Sequence, residues 1–352
     1  MFLKRLLKFI CLLFLIFIIC FIILLGFLMI TEYKPKDIEI IQKNSSISKK
    51  LPDEFSIMSW NIGYAGLNAE TDFFMDGGTE VLSQSKDVVE NNLKNIVKEI
   101  KAIDPTILMI QEVDKPSKRS FYVDEYKYLN KALNLNNQFS LNYKVKYVPY
   151  PFPPLGKVES GIYTASEYLP SISERYQLYV PFKFPVKLVN LKRGLLINKY
   201  PLSNGKSLIL INLHLEAYDD GSGKRKQSEM LMNIIKDEYS RGNYVIAGGD
   251  WNQTFDMNLN KKFNPNPVDK TWKPNELSKS LLNSEFKIYY DSTTPSYRTD
   301  NKPYIKGDPG CYVGVIDGFM VSPNVDVTHV KTLPLDFKYS DHNPVLINVK
   351  LK

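Results

Sequence analysis

Residues 244–252 read Tyr-Val-Ile-Ala-Gly-Gly-Asp-Trp-Asn, and the fold can be read outward from them. Tyr244 to Ala247 is an uninterrupted apolar run of strand length, the pattern of a strand buried on both faces. It ends by delivering Asp250 and Asn252. Upstream, Arg225 to Tyr239 places Met230, Leu231, Ile234 and Ile235 on one helical face, and Gly242 stops the helix. A helix that feeds a buried strand is the repeating unit of an α/β layered protein. Before the helix, Leu191 to Leu213 holds two apolar runs joined through Asn204-Gly205, a hairpin signal. The second run delivers His214.

The same pattern recurs toward both termini. Ser56 to Trp60 is strand-like and delivers Asn61. Ser85 is placed to cap a helix carrying Val88, Val89, Leu93, Ile96, Val97, Ile100 and Ile103, which Asp104-Pro105 ends. Thr106 to Ile110 then delivers Gln111-Glu112, Val313 to Ile316 delivers Asp317, and Val345 to Leu351 is the last strand. Strands interspersed with helices and hairpins predict mixed sheets in one domain.

Composition sets the outer limits. The chain has 352 residues, 44% hydrophobic and 24% charged, which are globular proportions. Its net charge is +7, and Lys4, Arg5 and Lys8 carry three of those charges, so charge alone makes no case for a nucleic-acid partner. Of Cys11, Cys20 and Cys311 only the last lies outside the N-terminal apolar run, so the folded part closes no internal disulfide. That run, Phe9 to Ile30, is FICLLFLIFIICFIILLGFLMI, long enough for a hydrocarbon core of roughly 30 Å. A cleaved signal peptide would be shorter and end in a small-residue site, and none is present. The expected organisation is a cytoplasmic basic tail over 1–8, a transmembrane helix over 9–30, a polar linker over 31–53 and a domain over 54–352. Basic residues ahead of the span put the C-terminal domain outside the cell. A Lys/Asn/Ile-rich chain without disulfides reads as a bacterial membrane protein with a single pass.

Polar residues able to bind metal or move protons thus fall where apolar strands end: Asn61, Glu112, His214, Asp250, Asn252, Asp317, Asp341 and His342. Strand ends are where open sheets carry ligands. Singly, each has an ordinary reading as a turn or cap residue. Together, Ser59-Trp60-Asn61, Gln111-Glu112-Val113, Asn212-Leu213-His214-Leu215, Gly249-Asp250-Trp251-Asn252, Ile316-Asp317-Gly318 and Ser340-Asp341-His342-Asn343-Pro344 resemble the endonuclease/exonuclease/phosphatase superfamily, in its order. That superfamily includes deoxyribonuclease I, apurinic-site endonucleases, bacterial sphingomyelinases and inositol polyphosphate phosphatases.

The resemblance implies a four-layered α/β sandwich, two mixed sheets flanked by helices, that hydrolyses phosphate esters with Mg²⁺, or with Mn²⁺ or Ca²⁺ in its place. Asn61, Glu112 and Asp341 would supply the hard oxygen ligands such an ion prefers. Three scattered histidines are too few for a zinc cage, and His329, which matches no motif, reads as structural. By the same resemblance Asp250 would orient and deprotonate the attacking water, with Asn252 holding phosphate or water. His342, oriented by Asp317, would contact the phosphate, and His214 would hydrogen-bond it or protonate the leaving group. Arg193 is a candidate phosphate contact or a surface arginine, and Tyr147 or Tyr163 a candidate active-site tyrosine. One departure is Asp114, where deoxyribonuclease I has a substrate-contacting arginine.

The mechanism does not choose the ester. Two segments look like specificity elements, TDFFMDGGTE at 71–80 and the aromatic, Pro-rich run from Tyr147 to Pro154. Basic clusters at Lys115/Lys118/Arg119, Lys183/Lys187/Lys192/Arg193 and Lys224/Arg225/Lys226 lean toward a polyanion, although such clusters are commonly solvated faces. The leading expectation is a membrane-anchored phosphodiesterase acting on nucleic acid. The alternatives are a phospholipid phosphodiesterase of sphingomyelinase type, an inositol-phosphate phosphatase, and an inactive binding module. No protein partner is expected.

Overall fold

The computed structural model describes residues 2–265, 272–278, 281 and 285–352. Helix α1 (Phe2–Thr31) projects from the domain and is exposed along most of its length. Among the described residues, thirteen strands build two large sheets. They are β1 (Ile38–Lys43), β2 (Glu54–Asn61), β3 (Ile107–Asp114), β4 (Asn136–Val148), β5 (Gly156–Ser166), β6 (Ile172–Gln177) and β7 (Gly194–Pro201). There follow β8 (Ser207–His214), β9 (Tyr244–Asp250), β10 (Lys287–Tyr289), β11 (Asp317–Val321), β12 (Val325–Thr332) and β13 (Val345–Leu351). One sheet has the order β1-β6-β7-β8-β9-β11-β10, the other β12-β13-β2-β3-β5-β4. Both are mixed: β8/β9 and β2/β3 run parallel and the remaining neighbours antiparallel.

The sheets meet through one apolar face each. Ile57, Met109, Leu208, Leu210, Ile246, Phe319 and Ile347 fill the space between them. Because β-strand side chains alternate, the opposite faces need their own cover. Helices α2 (Lys86–Ile103) and α3 (Glu125–Leu133) cover the six-stranded sheet through Val89, Leu93, Ile96 and Leu129. Helices α4 (Ser222–Ser240) and α5 (Met257–Phe263) cover the seven-stranded one through Leu231, Ile235 and Leu259. This is the expected four-layered sandwich. Ser85 caps α2 as expected, its side chain accepting from the Val88 N–H.

Two expectations need correcting. Residues 31–53 are not a plain tether, since Ile38–Lys43 pairs antiparallel with β6 as an edge strand. Asp317 begins its strand rather than ending one. It still reaches the site end of the sheet because β11 runs antiparallel to β9, with Asp317 opposite Asp250.

Candidate active site

The parallel pairs decide where the polar residues meet. β8 and β9 end together, His214 opposite Asp250, while β2 ends at Asn61 opposite Gln111, three residues before β3 itself ends. Polar side chains cross between the two sheets just beneath. Gln111 Nε2 donates to Asn212 Oδ1 at 2.8 Å, and Asn212 Nδ2 donates to the Tyr163 carbonyl at 2.9 Å.

Two backbone features turn side chains off the sheets. Glu112 sits at φ 56° where the β3/β5 register slips between Ile110 and Val113, and the bulge frees its carboxylate from the strand alternation. Gly63, at φ +49°, lets the chain turn against Asp341, because a Cβ there would lie 2.5 Å from Asp341 Oδ1. Ser340 Oγ ties the same corner by donating to the Asn61 carbonyl at 2.8 Å.

The resulting cluster is dense. Asn61 Nδ2 donates to Asp250 Oδ2 at 3.0 Å and lies 3.4 Å from Glu112 Oε1. Asp250 Oδ2 is 3.3 Å from His214 Nε2 and 3.7 Å from His342 Nε2, while its Oδ1 accepts from the Asn252 N–H at 2.8 Å. His342 Nδ1 donates to Asp317 Oδ2 at 2.8 Å, and Ser296 Oγ donates to that same oxygen at 2.6 Å. Asn252 Nδ2 donates to the Leu215 carbonyl at 2.8 Å.

Electrostatics separate the two histidines. Burial disfavours charge on both. For His342 the carboxylates of Asp317, Asp250 and Asp341 outweigh burial and hold its pKa well above the ordinary value. For His214 burial is reinforced by Arg193 and by His342, so its pKa lies well below. The same site thus favours the charged form of His342 and the neutral form of His214. Burial, aided by Asp317 and opposed by His342, pushes Asp250 up to about 7. Burial also raises Glu112, with Arg119 opposing and Asp341 adding to the rise.

Two donor sets lie here. Ligand atoms of Asp250, Asp317 and His342 fall within 4.8 Å of one another. However, His342 Nδ1 and Asp317 Oδ2 are already engaged with each other, and none of the three lines the adjoining cavity. Glu112 and Asp341 do line it, offer only oxygen, and oppose each other's charge. That is the donor chemistry a hard divalent cation fits.

The cavity measures about 550 Å³. Arg193 lines it, with Nε 3.5 Å from Glu216 Oε2 and Nη1 donating to the His214 carbonyl at 3.3 Å. Both sequence segments expected to set specificity border it, through Phe73 to Asp76 and through Val148 to Tyr150. Neither candidate tyrosine does. Tyr163 is fully buried in the core under α2 and α3, and Tyr147 lies on β4 away from the cavity wall. The tyrosines that reach the cavity are Tyr64, Tyr143, Tyr150 and Tyr218.

Arg119, which the sequence offered only as part of a basic cluster, lines the cavity. Its guanidinium stacks 3.9 Å over Tyr64, pairs with Asp114 at 2.8 Å, and lies 3.5 Å from Glu112. The signal available was Asp114 itself, a buried carboxylate that needs a cation. His329 lies exposed on β12, apart from the site.

No family model matches the sequence, and no curated protein matches it. Solved structures do share the fold. An endonuclease/exonuclease/phosphatase from Beutenbergia cavernae superposes at a TM-score of 0.54 with 16% identity, over 86% of this chain and 72% of that one. One from Bacteroides vulgatus gives 0.52 and 16%, over 85% and 99%. The human Nocturnin catalytic domain, solved with a bound sulfate anion, gives 0.50 and 17%, over 88% and 100%.

Proposed function

We propose that this chain, which has the endonuclease/exonuclease/phosphatase fold, is a divalent-metal-dependent phosphoesterase held at a membrane by α1. The observation that carries the reading is the convergence of Asn61, Asp250, His342 and Asp317 behind the Glu112/Asp341 oxygens that line one cavity. Binding modules have no need of a buried aspartate raised to about 7 against an imidazolium.

Asn61, Glu112 and Asp341 would hold the ion. The ion, when bound, would neutralise charge on the phosphoryl oxygens and on the leaving oxygen. The rest is the work of side chains. Asp250 takes the proton of the attacking water, since its pKa near neutrality lets it accept one there. Asn252, its backbone pinned to Asp250, holds the water or a phosphate oxygen. His342 presents a charged Nε2–H toward developing negative charge, its ring fixed through Nδ1 by Asp317. Neutral His214 hydrogen-bonds a non-bridging oxygen, and the Arg193 guanidinium supplies a further positive charge.

The sequence ranks nucleic acid first as substrate. The cavity wall favours the second reading, a phospholipid, because Phe74, Tyr150, Phe182, Val186 and Leu191 line it. The test is hydrolysis by the full-length chain of bis(p-nitrophenyl) phosphate, DNA, RNA, inositol phosphates and phospholipid vesicles, with Mg²⁺ and with EDTA. Metal-dependent cleavage of any one upholds the reading. Cleavage that survives EDTA, or none at all, overturns it.

A further inference from the structure

The cavity does not end at its apolar wall. Two segments of its rim continue into side chains that stand free in water: Phe152 is 95% exposed and Phe184 is 54% exposed, and neither lines the cavity itself. Rim residues Tyr150 and Val186 are exposed beside them. Each segment thus holds two large apolar side chains in solvent at the edge of an apolar cavity wall, the kind of surface that marks a contact site for a partner.

The base of α1 says what that partner is. Leu24, Leu25 and Gly26 are partly buried and Leu28 is buried, so the domain packs against the last turns of the apolar helix. β4, which runs into the Phe152 loop, is among the elements that pack there. Glu32 lies 3.4 Å from Lys192, and Lys192 Nζ donates to the Lys187 carbonyl in the Phe184 segment. Both rim loops are thereby tied to the end of α1. Lys34, Lys144, Lys146 and Lys157 surround a cleft at that same junction, and with Glu32 and Glu159 its only acids they leave it net positive. At 1.5 Å per residue, Leu24 lies about 10 Å along the axis from Thr31, a depth at which an inserted helix has entered the acyl region.

We propose that this face rests on the anionic bilayer that α1 enters. Phe152 and Phe184 sit at the boundary of headgroups and acyl chains, and the lysines meet headgroup phosphates. The cavity mouth then opens onto lipid, and the ester hydrolysed is a phospholipid of the same membrane. The choice of substrate rests on the phosphoesterase reading, whereas the seating of the face does not.

The full-length chain carrying Phe152→Trp, reconstituted in phosphatidylcholine/phosphatidylglycerol vesicles with acyl chains brominated near the headgroup, tests the seating. Its fluorescence should fall relative to unbrominated vesicles by more than that of the parent chain, whose Trp60 and Trp251 are fully buried and whose half-buried Trp272 sets the background common to both. Equal quenching of variant and parent overturns the proposal. The double variant Phe152→Ser/Phe184→Ser tests the mouth. Hydrolysis of vesicle phospholipid should drop about tenfold, the cost of two lost apolar anchors, while that of soluble bis(p-nitrophenyl) phosphate stays unchanged. Equal loss on both substrates overturns the proposal, as does a parent that cleaves DNA but no phospholipid. A parent inert toward every ester defeats the phosphoesterase reading instead, and the bromine quenching then still decides the seating.

Discussion

Asp250 and His342 share a buried space 3.7 Å apart, and each is displaced from its ordinary titration by burial and by the same neighbour, Asp317. Activity should rise with pH as Asp250 loses its proton and fall at higher pH as His342 loses its own. Asp317 raises both pKa values, so Asp317→Asn should move both limbs of the kcat/KM profile to lower pH. Limbs that do not move would show that Asp317 does not govern the pair. Asp250→Asn and His342→Ala should each lower kcat by about 10³-fold, the range lost with a general base or an oxyanion donor. Near-UV circular dichroism of both variants should match the parent. These residue types were legible in the sequence because strand ends announce themselves by local pattern. Tyr64 was not, nor was the place of Arg119 within its basic cluster, since their pairing depends on a stacking contact that no spacing encodes.

At the scale of elements, the site is aimed by a few local devices. The Ser85 cap and the apolar periodicity of α2 are local, and both are visible in the sequence. Ser85→Ala should cost about 1 kcal/mol in a urea melt of the full chain. The bulge that turns Glu112 toward the cavity was invisible, because it is a slip between β3 and β5 across the sheet. β1 was hidden for a similar reason: an edge strand needs only one partner and little apolar content, so its sequence looks like a tether. Asn212 carries more than its motif implied, spanning from β8 to Gln111 and the Tyr163 carbonyl on the other sheet. Asn212→Ala should destabilise by about 1–3 kcal/mol, the penalty of leaving buried partners unsatisfied. Loss within a few tenths would mean that water replaces the amide.

For the whole molecule, the cation and the fold should be linked. Glu112 and Asp341 oppose each other in the native state and are far apart in the unfolded chain, so an ion held by these two residues would bind the native state selectively. At a hundredfold excess over its dissociation constant, Mg²⁺ or Mn²⁺ should stabilise by about 2.7 kcal/mol. That shift should appear as a higher Tm of the detergent-solubilised chain. It should vanish with EDTA and in Glu112→Gln and Asp341→Asn. An unchanged Tm at millimolar cation would place the ion elsewhere or nowhere in this site.

The sequence by itself determined the layered α/β class, the apolar helix and eight polar residues that converge, because apolar runs, caps and strand-end polarity are written within a few residues of one another. Tertiary structure alone decided which of them pair and how each is charged. The raised pKa of His342 and the lowered pKa of His214 differ through neighbours contributed from elsewhere in the chain. It also decided against Tyr147 and Tyr163, because side-chain direction in a sheet depends on register and bulges that involve two strands at once.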